Sequence, residues 1–411
     1  MRKTLVLFVF VLAGFWTLPS LAACPGISGC VFNKGCPKGS TPVGAGQSIQ
    51  KAIDAAPVTG AILCVAPGTY SGLINFHGKP INLVSSGGPG LTFLDGGGAG
   101  TVVTFSSAEG KDSIFDGFTV RNGKAAFGGG ILVNGASPTI RNSIITKNVA
   151  TGDHAKGGGA AVMGVQASPA ITCTQFLGNT SDYSGGGFMS SYSANPYLRS
   201  DYFEGNKASY GAAIGVAWSG RLDLGWTELI ANQASSDGGG IHVGTPYGNV
   251  LVRQTWFKGN KAGGQGGGMW VPAGMAEVIN STFDGNQANE GGGIAAGYGS
   301  MVSVASTLFV RNTTTSSGSA TLVSAPGSNT SVVNHYNGFF GNTGAKYKNT
   351  YGDKALLVPG TDPLGNSCCP APGSPALNAG IPDPNFNDAD GTRNDMGACG
   401  GPALATYGLM K

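Results

Sequence analysis

Trp256 to Ile294 is the stretch that decides the fold. It opens Trp256-Phe257-Lys258-Gly259-Asn260-Lys261-Ala262 and reaches Gly266-Gly267-Gly268-Met269. It then begins again as Phe283-Asp284-Gly285-Asn286-Gln287-Ala288, followed by Gly291-Gly292-Gly293-Ile294. One unit is an aromatic residue, an Asn three positions later, and a glycine triplet before an apolar residue. Self-similarity at a fixed period of 20–50 residues marks a stacked-repeat architecture.

The Asn recurs at Asn122, Asn148, Asn179, Asn206, Asn232, Asn260, Asn286, Asn312 and Asn342. Glycine runs interleave, starting at Gly128, Gly157, Gly185, Gly238, Gly266 and Gly291, with a degenerate copy at Gly211-Ala212-Ala213-Ile214. Eight positions before the Asn stands an aliphatic: Ile114, Ile140, Ile171, Leu198, Leu224, Val252, Val278, Val304. Three before it is a large apolar residue: Ile145, Phe176, Phe203, Leu229, Phe257, Phe283, Phe309, Phe339. Five before it is usually Ser or Thr, with Asp201 as an exception.

A unit is about 27 residues long, rich in alternating and β-branched positions, with Gly and Asn at its bends. That pattern predicts a coil of three short strands, not a helix pair. One coil cannot bury its apolar face alone, so the coils stack. The expected architecture is an all-β, right-handed parallel β-helix of about ten coils, with inward Asn side chains bonded from coil to coil.

These paired markers resemble the repeats of the chlamydial polymorphic outer-membrane proteins. More broadly they resemble right-handed parallel β-helix proteins of the pectate-lyase-like superfamily. The resemblance covers residues 45–345 and implies the fold. It does not imply one activity, since that superfamily includes lyases, hydrolases, esterases and non-catalytic adhesins.

The chain reads as four segments: a signal peptide (1–23), an N-terminal cap with first coils (24–110), regular repeats (111–344) and a C-terminal cap (345–411). The leader has Arg2 and Lys3 before an apolar run from Leu5 to Trp16. Ser20-Leu21-Ala22 suits ordinary cleavage, whereas Leu21-Ala22-Ala23-Cys24 resembles a bacterial lipobox that would put lipid on Cys24. Both routes stay open and both imply export, and the lipobox-like signal suggests a bacterial source. Membrane attachment is expected only through such an anchor. Ser48 precedes a short amphipathic helix, and the helix–strand–Pro67-Gly68-Thr69-Tyr70 order resembles the cap of many β-helix proteins. Ser374-Pro375-Ala376-Leu377-Asn378-Ala379-Gly380 with the Asp388–Ala398 loop resembles their closing segment. No outer-membrane barrel is expected to follow.

With 72 Gly but 41% hydrophobic and only 11% charged residues, the chain is an ordered repeat and not a disordered one. A net charge of +3 without a basic stripe argues against nucleic acid as a partner. Eight cysteines in an exported chain point to disulfides at the two ends. Cys173, inside a repeat, is expected to be a free core thiol.

Three kinds of site compete. Catalysis would use polar residues on the turns between Asn and Gly run: Asp153 and His154, with Lys156, then Asp182, Asp237 and Glu290. The last two are expected two coils apart, roughly 10 Å, near the ~6.5–9.5 Å of inverting glycosidases. The signature motifs of polygalacturonases, pectin methylesterases and pectate lyases are missing. Carbohydrate binding would use Tyr192, Trp218, His242, Trp270 and Tyr298, aromatic rings on one face at coil spacing. A metal site would use Asp388, Asp390 and Asp395, oxygen ligands suited to a structural Ca²⁺; no other cofactor is called for. The sequence favours a non-catalytic surface protein that binds polysaccharide or a cell-surface glycan. A polysaccharide lyase or glycoside hydrolase acting on an acidic polysaccharide is the alternative.

Overall fold

The computed structural model describes residues 30, 35–244, 247–297, 299–316, 320–324, 330–343, 345–348, 356–357, 362–364 and 368–402. The leader, Cys24 and Tyr298 lie outside them. The chain forms a parallel β-solenoid of about 11 turns, as the repeat reading requires. Eight of the turns carry four strands, one more than the sequence suggests, and the first turns carry three. In one turn they are Ala170–Thr172, Gln175–Leu177, Thr180–Ser181 and Phe188–Ser191. The glycine triplet bends the chain between the last two, dividing one expected strand in two. Stacking gives a first sheet of 12 strands, a second of 12, a third of 8 and a fourth of 11.

The apolar columns are in register. Ile145, Phe176, Phe203, Leu229, Phe257, Phe283, Phe309 and Phe339 pair in succession on the second sheet. Phe257 and Phe283 stack with centroids 4.2 Å apart, and Phe283 and Phe309 at 5.1 Å. Such offset ring pairs add to the area they bury.

The Asn column is a hydrogen-bonded ladder from Asn148 to Asn342. Asn179 Nδ2 donates to Asn206 Oδ1 at 3.1 Å and to the carbonyl of Ile145 at 2.8 Å. Asn260 and Asn286 repeat this arrangement. Asn122 does not belong to it. It is exposed and bonds Asp95, while the N–H of Gly123 donates to Asn148 Oδ1 at 2.9 Å. A Cβ at Gly123 would lie 1.8 Å from the Gly129 carbonyl, so no side chain fits that rung. The whole coil is offset by one, and Phe115 takes the core position expected of Ile114.

The bend between first and second sheets is made by one left-handed residue per coil: Asn142, Cys173, Ser200, Trp226, Gln254, Asn280, Ser306 and Tyr336. These side chains point away from the core and form a corner on which both end segments dock. Gln254 Nε2 donates to the Gly400 carbonyl at 3.0 Å, and Asn280 Nδ2 to Asn394 Oδ1 at 2.6 Å. The hydroxyl of Ser306 accepts from the Ile381 N–H at 2.9 Å. Residues 368–402 thus run along the flank of several coils.

Cys30 and Cys173 form a disulfide, which corrects the expectation of a free thiol. The reason is the corner: at φ 51° Cys173 presents its sulfur outward. Cys36–Cys64 and Cys369–Cys399 pin the two end regions. No described cysteine is free. At the N-terminal end the helix Ile49–Ala55 starts at Ser48, whose side chain accepts from Lys51 N–H at 3.2 Å. Ile49 and Ile53 sink into the core. Among the described residues no helix is long and apolar enough to cross a membrane.

Candidate functional site

The residue just before each glycine run forms its own column. Phe127, Lys156, Ser184, Tyr210 and Asp237 pair in succession, and Gln265 pairs with Glu290. This column borders the outer face of the fourth sheet. Beyond the far end of that sheet, turns at Tyr192-Ser193 and Trp218-Ser219 share positive φ of 53°, 64°, 54° and 58°. The Ser193 N–H donates to the Trp218 carbonyl at 3.1 Å. Two turns of the same shape, one coil apart, set their rings alike. Tyr192 and Trp218 stack with centroids 5.9 Å apart and planes 20° apart. They remain 43% and 48% exposed, a large apolar area to leave in water.

Lys156 closes the gap between the two walls. Its backbone precedes the strand Ala160–Met163, yet its ammonium lies 5.4 Å from the Tyr192 centroid and 5.7 Å from that of Trp218. The ring of Phe127 is 5.7 Å away on the third side. The aliphatic stem therefore crosses the outer face of the sheet, where Ala161 and Met189 are fully buried. Lys156 itself is 4% exposed.

A second aromatic run starts at the turn tip. His154 meets Tyr183 edge-on at 5.4 Å, Tyr183 meets Tyr210 at 5.3 Å, and Tyr210 meets His242 at 5.1 Å. His242 pairs in register with Trp270 on the fourth sheet. Burial pushes the His242 imidazole down to about 4, so it is neutral at ordinary pH. Trp270 packs on Ala295 and is half-buried. Of the expected ring residues, then, Tyr192 and Trp218 come together, His242 and Trp270 form a second pair, and Tyr298 lies outside the described residues.

The polar candidates are dispersed. Asp153 is exposed and 3.7 Å from His154. Asp182 accepts from Gly152 N–H at 2.9 Å and Thr151 Oγ1 at 2.8 Å. Those two donors, Gly152 first, hold its carboxyl below the usual range. Asp237 Oδ1 accepts from Gln265 N–H at 2.7 Å, and its other oxygen from Ser236 Oγ at 3.1 Å. Asp182 and Asp237 thus fasten one coil's turn to the next. Asp237 and Glu290 do share a column, with Gln265 between them.

Asp388, Asp390 and Asp395 also serve the backbone. Asp388 accepts from Gly401 N–H at 2.6 Å and Asp395 N–H at 3.1 Å; Asp390 accepts from Thr392, and Asp395 from Asn378. Burial pushes the Asp388 carboxyl up to about 6, with Asp395 and Asp390 adding repulsion. Among the described residues the one trio of His, Cys, Asp or Glu ligand atoms that converges is Cys368, Cys369 and Cys399. Cys369 and Cys399 are bonded to each other there.

Sequence reasoning did not find Phe127 or Tyr210, and saw Lys156 only as a turn residue. The signal was present in the position preceding each glycine run. Comparison with protein-family models and with curated proteins gives no match to this chain.

Proposed function

We propose that this is an exported, non-catalytic β-solenoid that binds polysaccharide or a cell-surface glycan on the outer face of its fourth sheet. The observation that carries the reading is the Tyr192–Trp218 pair: two exposed, stacked rings on adjacent coils. A sugar ring offers an apolar face to such a platform and keeps its hydroxyls in water. The disulfides support an oxidising, extracytoplasmic location, in line with the leader. The alternative, a lyase or hydrolase on an acidic polysaccharide, draws on the Asp237–Gln265–Glu290 column.

The two readings separate in one experiment. The protein is incubated with insoluble glycans (cellulose, chitin, calcium-alginate beads), and retention and soluble products are followed, the latter by mass spectrometry. Binding alone gives retention that falls at least tenfold in Trp218→Ala, with no new products. Products that vanish in Asp237→Ala or Glu290→Ala would overturn it in favour of the enzyme.

A further inference from the structure

We infer that the Lys156 ammonium is an anion subsite, which takes a carboxylate or sulfate carried by the sugar that stacks on Tyr192 and Trp218. This rests on the glycan-binding reading and narrows it to charged glycans. Among the described residues, no hydrogen bond or ion pair reaches the Lys156 ammonium, although the residue is 4% exposed. Its neighbours are the rings of Phe127, Tyr192 and Trp218, each within 5.7 Å. Three π faces attract a cation but accept none of its three N–H donors as an oxygen would.

The nearby carboxylates are turned elsewhere. Asp182 is bound to Gly152 and Thr151, and Asp153 sits with His154 at the exposed tip. Little of the Lys156 side chain is left to water and, among the described residues, no counter-charge meets its ammonium, so a ligand anion would supply the charge-assisted hydrogen bonds that the rings cannot. The exposed residues Tyr192 and Trp218 define where the ligand stands, and the ammonium beside both rings defines where its charge must be. Carboxylate and sulfate oxygens offer the same chemistry here, so the test carries one arm for each.

The test is affinity electrophoresis of the full chain in gels holding alginate, carboxyl-reduced alginate, dextran sulfate or dextran. The expected result is at least one anionic polymer bound about tenfold or more tighter than its neutral counterpart, the range of a charge-assisted hydrogen bond. Lys156→Met should erase that preference, Lys156→Arg should keep most of it, and Lys207→Met, which removes an exposed charge on the third sheet, should leave it intact. The arm that shows the preference names the group. Charged and neutral polymers bound alike by the wild type, or a preference that survives Lys156→Met, overturns the subsite and leaves glycan binding standing. Retention of none of the four overturns glycan binding with it. Should Lys156→Met fail to fold, by thermal unfolding, the wild-type comparison within each polymer pair decides.

Discussion

Asn206 and Asn232 are joined twice through one oxygen: the Asn206 side-chain amide donates to Asn232 Oδ1 at 2.9 Å, and the Asn206 backbone N–H reaches it at 3.0 Å. Asn232 is fully buried, and its own amide donates to the Phe203 carbonyl at 3.1 Å. Asn232→Ala strands these groups without water. Leaving buried polar groups unpaired costs about 1–3 kcal/mol each, so a loss on the order of 3 kcal/mol is expected in urea unfolding. Asn122→Gly, outside the ladder, is expected to move stability by less than about 0.5 kcal/mol.

His242 makes stability pH-dependent with a definite sign. Its folded value is near 4, against 6.5 as the ordinary value. Between those limits the unfolded chain binds a proton that the folded chain refuses, so stability falls as pH drops from about 6.5 through 4. Thermal midpoints measured across that window should decline in the wild type. The decline should be smaller in His242→Gln.

Asp201 is the exception in the column of buried hydroxyls. One of its oxygens accepts from Thr174 N–H at 2.7 Å, and the other has no hydrogen-bond partner. Burial drives its carboxyl well above the usual range. The equivalent Asn337 shows that an amide fits, since it accepts from Thr307 N–H at 2.8 Å. Asp201→Asn is expected to raise the thermal midpoint at neutral pH, where the carboxyl is under pressure to ionise. The gain should shrink on acidification, because a raised carboxyl contributes its stability below its unfolded pKa and loses it as pH rises.

A divalent cation beside Asp388 would relieve the repulsion that Asp395 and Asp390 impose on it. Millimolar Ca²⁺ is therefore expected to raise the thermal midpoint, and Asp388→Asn to cancel the rise. A midpoint that ignores both Ca²⁺ and chelator removes the ion from the account.

What could be read from residue order was whatever each coil repeats. Phe176, Phe203 and Phe257 are alike because each faces the same buried environment, and Asn206, Asn232 and Asn260 because each meets the same ladder. The pattern failed where geometry departs from the average coil. Asn122 looks like a rung, but only Gly123 fits between neighbouring backbones. Cys173 reads as core because its neighbours are, yet a left-handed corner turns it outward. The Lys156 cluster was hidden for another reason. Its members come from unequal turns in four coils, and only stacking brings Phe127, Tyr192 and Trp218 around one ammonium. The docking of residues 368–402 on the Gln254–Ser306 corner has no repeat to announce it.

The Cys30–Cys173 bond closes a covalent ring around the first coils, 143 residues along the chain. The exposed tip at Gly152-Asp153-His154 lies inside that ring. A protease that nicks the tip yields two pieces that cannot part: full size on a non-reducing gel, two bands once thiol is added. Damage at this exposed loop therefore need not detach the coils that the ring encloses.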